Sequence, residues 1–175
     1  MTKQCTTYHN VKSTLSRIQV HQGGTRSGKT YSIVLSLIEW CYRNKGAGWI
    51  ISIVRKTFPA LRGSVMRDFV NILIEQGYYS ERSHNKSEEM YTLWGNTIEF
   101  ISVDQPQKIR GRKRHICFIN EANELTIEDW RQLILRTTKR IIIDYNPSDE
   151  FHWIYDEVIP RDDAVFFQTT YLDNP

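Results

Sequence analysis

The apolar positions of this chain follow two alternating rhythms. Trp49-Ile50-Ile51-Ser52-Ile53-Val54, Ile116-Cys117-Phe118-Ile119 and Ile141-Ile142-Ile143 are short runs, apolar at nearly every position. That is the pattern of strands covered on both faces. Elsewhere apolar residues recur at steps of about one helical turn: Ile33, Val34, Leu37, Ile38 and Cys41 within 30–42, then Leu61, Val65, Phe69, Ile72 and Leu73 as far as Gly77. This spacing predicts helices with one apolar face, and Gly77 ends the second of them.

More local signals supply the remaining elements. Arg17 to His21 alternates like a strand, and Tyr91 to Trp94 and Thr97 to Ile101 flank Gly95-Asn96, a short hairpin signal. Thr126 with Asp129 resembles a capping box that opens a helix carrying Trp130, Leu133 and Ile134. Arg140 to Asp144 reads as a strand, Phe151 to Val158 as a short helix and Ala164 to Thr169 as a last strand. Strands alternating with helices predict an α/β fold, a mostly parallel central β-sheet flanked by helices on both faces. No internal repeat or low-complexity segment interrupts it.

Composition narrows the picture. At 175 residues the chain is expected to form a single domain over 1–175, able to bury roughly 70% of its unfolded surface. Cys5, Cys41 and Cys117 are odd in number and widely spaced, so neither a disulfide framework nor a zinc site is expected. The apolar runs are too short to span a bilayer and the N-terminus has no signal-peptide stretch, so a soluble protein of a reducing cytoplasm is expected, with no membrane partner. The net charge of +3 does not by itself indicate nucleic acid. Lys108, Arg110, Arg112, Lys113 and Arg114 do cluster, which fits a solvated loop as well as a functional patch.

The chemistry begins at Gly23-Gly24-Thr25-Arg26-Ser27-Gly28-Lys29-Thr30, which satisfies G-x-x-x-x-G-K-[ST] at every required position, between a predicted strand and a predicted helix. The glycines let successive backbone N–H groups turn inward around a triphosphate, and the helix N-terminus adds its positive end. Lys29 then bridges the outer phosphates, and the Thr30 hydroxyl is placed to ligate Mg²⁺. ATP and Mg²⁺ are the expected cofactors, and the chain reads as a P-loop NTPase.

Hydrolysis also needs a group that holds the metal and one that orients water. Ile116 to Ile119 deliver Asn120 and Glu121 to a strand end, where ligands bind in open α/β sheets. Glu121 is the candidate to polarise water. Asn120 stands where an aspartate would hold magnesium through water; its amide oxygen still accepts a hydrogen bond but brings no charge. Ile141 to Ile143 deliver a further polar set, in which Asn146 is placed to sense the γ-phosphate or the attacking water, although Asn146-Pro147 also reads as a simple turn.

In order along the chain, Gln22 to Ser32, Val54 to Leu61 with Ser64-Val65, Gln107 to Gly111, Asn120 to Leu125, Asn146-Pro147 ahead of Phe151 to Tyr155, and Thr169 to Pro175 resemble the ATPase domain of the large terminase subunit of tailed bacteriophages. The resemblance implies an ASCE/RecA-like P-loop ATPase that pumps double-stranded DNA into procapsids. It implies a homo-oligomeric ring in the host cytoplasm, with a portal protein and a small terminase subunit as partners. Glu121 matches the family's catalytic glutamate, Asn146 its coupling segment, and Arg110 the arginine such motors insert into a neighbouring subunit's site. Arg26 and Arg55 are weaker candidates for nucleotide contacts. The family continues into a nuclease domain, which these residues are not expected to supply. Other ring ATPases such as helicases, and a nucleotide-binding switch with little turnover, remain open; a small-molecule kinase fits less well because Glu121 suits activation of water.

Overall fold

The structure is a computed structural model that describes residues 5–24, 27–147, 152–170 and 172, without the side chains of Pro106, Lys108 and Arg110. The apolar runs become β1 (Ile18–Gly23), β2 (Ile50–Arg55), β3 (His84–Asn85), β4 (Met90–Leu93), β5 (Asn96–Ser102), β6 (Arg114–Ile119), β7 (Thr137–Tyr145) and β8 (Ala164–Thr169). They form one sheet in the order β3-β4-β5-β2-β6-β7-β1-β8. From β5 to β8 every pairing is parallel, and the β3-β4-β5 edge is antiparallel.

The helices are α1 (Thr6–Ser13), α2 (Lys29–Arg43), α3 (Phe58–Leu61), α4 (Arg67–Glu75), α5 (Pro106–Gly111) and α6 (Ile127–Leu135), with π-helical turns at Arg62–Met66 and Ile154–Val158; α1 and α5 are not among the helices that the apolar spacing predicts. One core layer packs Ile33, Leu37, Phe69 and Leu73 against Ile51, Ile53, Phe118 and Ile142. The opposite layer packs Trp130, Leu133 and Val158 against Ile18, Val20, Cys117 and Ile143. Both faces of the sheet are therefore covered, which is why its central strands are apolar throughout. The capping box on α6 forms as expected: Thr126 Oγ1 accepts from Asp129 N at 3.2 Å, and Asp129 Oδ2 accepts from Thr126 N at 3.0 Å. Of the predicted helix from Phe151 to Val158, Phe151 itself lies outside the described residues.

Some local expectations shift. The hairpin turn is Trp94-Gly95, both at positive φ (49° and 80°), and not Gly95-Asn96. Asn96 is fully buried and binds the main chain around it: its Nδ2 donates to Cys41 O and Asn44 O, and its Oδ1 accepts from Trp49 N. The basic cluster is no single solvated loop either. Arg114 lies fully buried in β6 and donates to Ile109 O at 3.3 Å and Arg112 O at 3.4 Å, while Arg112 pairs with buried Glu99 at 3.2 Å.

Candidate nucleotide site

The site is assembled at the edge of the sheet where the parallel strands end. β1 ends at Gly23, and the chain turns through Gly28, whose φ of 73° needs the glycine, into the first turn of α2. Gly23 is also the point of closest approach. A Cβ there would stand 2.6 Å from both Thr169 O and Thr169 Oγ1, and 3.2 Å from Lys29 Cδ. Because a backbone carbonyl cannot swing aside, Gly23→Ala is expected to cost about 1–3 kcal/mol of stability, the usual range for overpacking. A denaturation midpoint equal to the parent's would contradict this close packing.

Lys29 is nearly buried, and its Nζ donates to Gly23 O at 2.7 Å, Gly24 O at 3.0 Å, Ser27 Oγ at 3.1 Å and Asn146 Oδ1 at 3.1 Å. Burial pushes its pKa down, while the charges of Asp144 and Glu121 pull the other way. The ammonium is thus folded onto the loop, held by neutral oxygens that the oxygens of a phosphate chain can replace at no loss of hydrogen bonds.

β6 and β7 end beside this loop in register, Ile119 opposite Ile143, so Asn120 and Asp144 are cross-strand neighbours one residue further on. Asp144 is 1% exposed and collects the surrounding donors. Thr30 Oγ1 donates to its Oδ2 at 2.7 Å, and Glu121 N to its Oδ1 at 2.9 Å. Asn120 Nδ2 donates to both oxygens, at 2.9 and 3.2 Å. Burial raises the Asp144 pKa, and these hydrogen bonds oppose that rise.

Glu121 takes a left-handed backbone conformation, φ 51° and ψ 55°, unusual for a residue with a side chain. Its carboxylate accepts from Asn146 Nδ2 at 3.2 and 3.3 Å. Burial raises its pKa first, and the charge of Asp144 adds to that. The Asn146 amide therefore joins Lys29 to Glu121. Its orientation is fixed by chemistry, because an ammonium only donates and a carboxylate only accepts.

On the other side of Asp144, in register on β1, lies buried His21, stacked on Phe167 at 5.0 Å. Burial and then the charge of Lys29 push its pKa down to about 3, so it adds no positive charge to the site at neutral pH.

Gly23, Gly24, Ser27, Gly28, Lys29, Thr30, Asn120, Glu121 and Asn146 are brought together at this edge. Thr25 and Arg26 lie outside the described residues, as does the side chain of Arg110. Arg55 makes its hydrogen bonds beside the loop, donating to Ser64 Oγ at 2.6 Å and Ala60 O at 3.2 Å and pairing with Glu124 at 3.3 Å, and its charge reaches Glu121, whose pKa it pulls down against the burial. Asp144 was given no role from the sequence. The available signal was its position at the end of the Ile141–Ile143 run, matching that of Asn120 after Ile116–Ile119.

Comparison with known proteins bears on the family and the fold. The family described as phage terminase large subunit matches residues 16–175. No curated protein sequence matches the chain. Among solved structures, the large terminase of a thermophilic bacteriophage superposes with a TM-score of 0.84 at 18% identity, over 98% of this chain and 47% of that one. The same phage terminase has also been solved in complex with ATP-gamma-S. The large terminase ATPase domain of Thermus phage P74-26 matches with a TM-score of 0.66 at 16% identity, over 95% of this chain and 80% of that one. The viral genome packaging motor assembly of bacteriophage Phi-29 matches with a TM-score of 0.66 at 14% identity, over 91% of this chain and 56% of that one. At these identities the likeness establishes the fold, and this chain spans less than half the length of the thermophilic phage's terminase.

Proposed function

The chain belongs to the phage terminase large subunit family, and on that premise we propose that its site binds Mg²⁺-ATP and hydrolyses it to drive double-stranded DNA into a procapsid. One observation carries the reading: the ammonium of the phosphate loop and the carboxylate of Glu121 are held on the two ends of one Asn146 amide. A cradle for phosphate and a group able to orient water therefore share one crevice.

The residues fit the cofactors the family implies. The loop offers its backbone and Lys29 to the phosphates, and Thr30 offers a hydroxyl to the metal. The buried Asn120 Oδ1 has no hydrogen-bond partner among the described residues, so it is free to accept from a metal-bound water. Magnesium keeps most of its waters and needs few protein ligands. When bound, the metal neutralises charge on the phosphates. Glu121 orients water towards the outer phosphate, and Asn146, which touches both Lys29 and Glu121, registers whether that phosphate is present. Such a link suits coupling of hydrolysis to movement.

The site acts in a homo-oligomeric ring, with Arg110 of one subunit completing the site of the next. Its partners are DNA, a portal protein and a small terminase subunit, in the host cytoplasm at the procapsid portal. DNA is gripped through its phosphates, so the grip weakens as salt rises. Purified protein with ATP and magnesium is expected to release phosphate, with specific activity rising with protein concentration as rings assemble. Nucleotide binding without release at any concentration would favour a switch over a motor.

A further inference from the structure

The β6 strand is followed at once by Asn120, where nucleotide hydrolysis calls for a carboxylate to help hold the metal. The missing charge lies one strand away. Resting on the nucleotide-site reading above, we propose that Asp144 of β7 is the metal-side carboxylate of this protein, holding Mg²⁺ through water beside Thr30 and carrying the charge that position 120 lacks.

Several observations converge on this residue. In P-loop enzymes the metal is held by the loop Ser/Thr together with an acidic strand-end residue, and Asp144 Oδ2 accepts from the Thr30 hydroxyl at 2.7 Å. Asp144 is 1% exposed, and among the described residues no lysine or arginine is ion-paired with it. Lys29, the nearest site cation, spends its donors on Gly23, Gly24, Ser27 and Asn146. The Lys29 charge acts on Asp144 without being ion-paired with it, and a metal beside Thr30 would supply the closer cation that a buried carboxylate calls for.

Asn120 fits the same scheme. Its Nδ2 is committed to Asp144, which leaves its Oδ1 buried and without a partner among the described residues. That oxygen is a free acceptor for a metal-bound water, whereas Asp144 already accepts four hydrogen bonds and would take such a water in place of the longer one from Asn120 Nδ2, at 3.2 Å. Two carboxylates at this cross-strand spacing would repel, and one would take up a proton, so an acid at 144 makes an amide at 120 the compatible neighbour. A purely structural role is the rival, in which Asp144 only pins Thr30 and the Glu121 backbone.

Binding of ATP, measured with Mn²⁺ as the metal probe and again in EDTA, separates these roles, with bound Mn²⁺ counted by electron paramagnetic resonance. In Asp144→Asn the Mn²⁺-dependent gain in ATP affinity is expected to fall about 10- to 100-fold, the usual effect of losing a group that holds a metal through another ligand. Affinity in EDTA is expected to stay level or rise, because the substitution removes a negative charge beside the triphosphate and Lys29. Combining Asn120→Asp with Asp144→Asn returns one carboxylate and one amide to the pair and is expected to restore the metal dependence. Parental Mn²⁺ dependence in Asp144→Asn, an equal loss with and without metal, or no recovery in the combined variant overturns the proposal. If Asp144→Asn fails to fold, Asp144→Ser, which leaves room for water, takes its place under the same criteria. A parent protein that binds no ATP at all would instead overturn the nucleotide-site reading itself.

Discussion

Glu121→Gln is expected to bind ATP like the parent protein and to release phosphate about 10² to 10⁴ times more slowly, the range for loss of a positioned general base. Glutamine keeps the length of the side chain and one oxygen for Asn146 Nδ2, while Lys29 and the loop that hold the nucleotide are untouched. What it loses is the negative charge that draws a proton from water. The same change should stabilise the nucleotide-free protein. Burial and the charge of Asp144 raise the Glu121 pKa, so the folded chain binds this proton more tightly than the unfolded chain does. The stability that comes from protonation is fully present below the unfolded carboxyl pKa and is lost as pH rises through the higher folded value. Glutamine does not titrate, so the melting-temperature advantage of the variant should open across that window and persist above it. Phosphate release at the parental rate would remove Glu121 from the chemistry, and a pH-independent difference in melting temperature would remove the strain. A working carboxylate kept at a cost in stability is a frequent arrangement at active sites.

The local parts of the site were legible in the sequence and the non-local parts were not. The phosphate loop is a contiguous pattern whose chemistry fixes its spelling. β2, β6 and β7 were visible because strands buried on both faces are apolar at every position. The hairpin came out one residue off because Gly95-Asn96 has turn chemistry by itself. Only the tertiary fold reveals that the Asn96 side chain is needed by Cys41, Asn44 and Trp49. Arg114 belonged to a cluster that fitted a solvated loop or a functional patch equally well, yet it is buried and holds the carbonyls of 109 and 112. α1 has few apolar residues, and much of its docking is polar, through Tyr8 and Lys12 to Glu39. Asp144 was the costliest omission, since its meaning depends on the pairing of Ile119 with Ile143, which no single stretch of sequence states.

Arg110→Ala is expected to lower turnover by about 10³ to 10⁵ in protein concentrated enough to assemble, the range for loss of an arginine supplied to a phosphoryl-transfer site. The topology favours action on a neighbour. Arg110 lies on α5, which follows β5, and the order β5-β2-β6-β7-β1 puts β5 four positions from the strand that feeds the phosphate loop. At about 4.8 Å per strand β5 stands roughly 19 Å from β1, and α5 leads to the start of β6, the end of that strand away from Asn120 and the phosphate loop. The segment is also anchored, because Ile109 is buried and its carbonyl accepts from buried Arg114. An arginine held on a fixed support, away from its own loop, is suited to reach the loop of the next subunit. Mixing Arg110→Ala with Lys29→Ala protein, each inactive alone, should therefore restore part of the activity. Some interfaces in mixed rings then join an intact Lys29 to an intact Arg110 from across the boundary. Parental turnover in Arg110→Ala alone would show that the residue has no part in the reaction. A strong loss that mixing does not relieve would place its action within its own subunit.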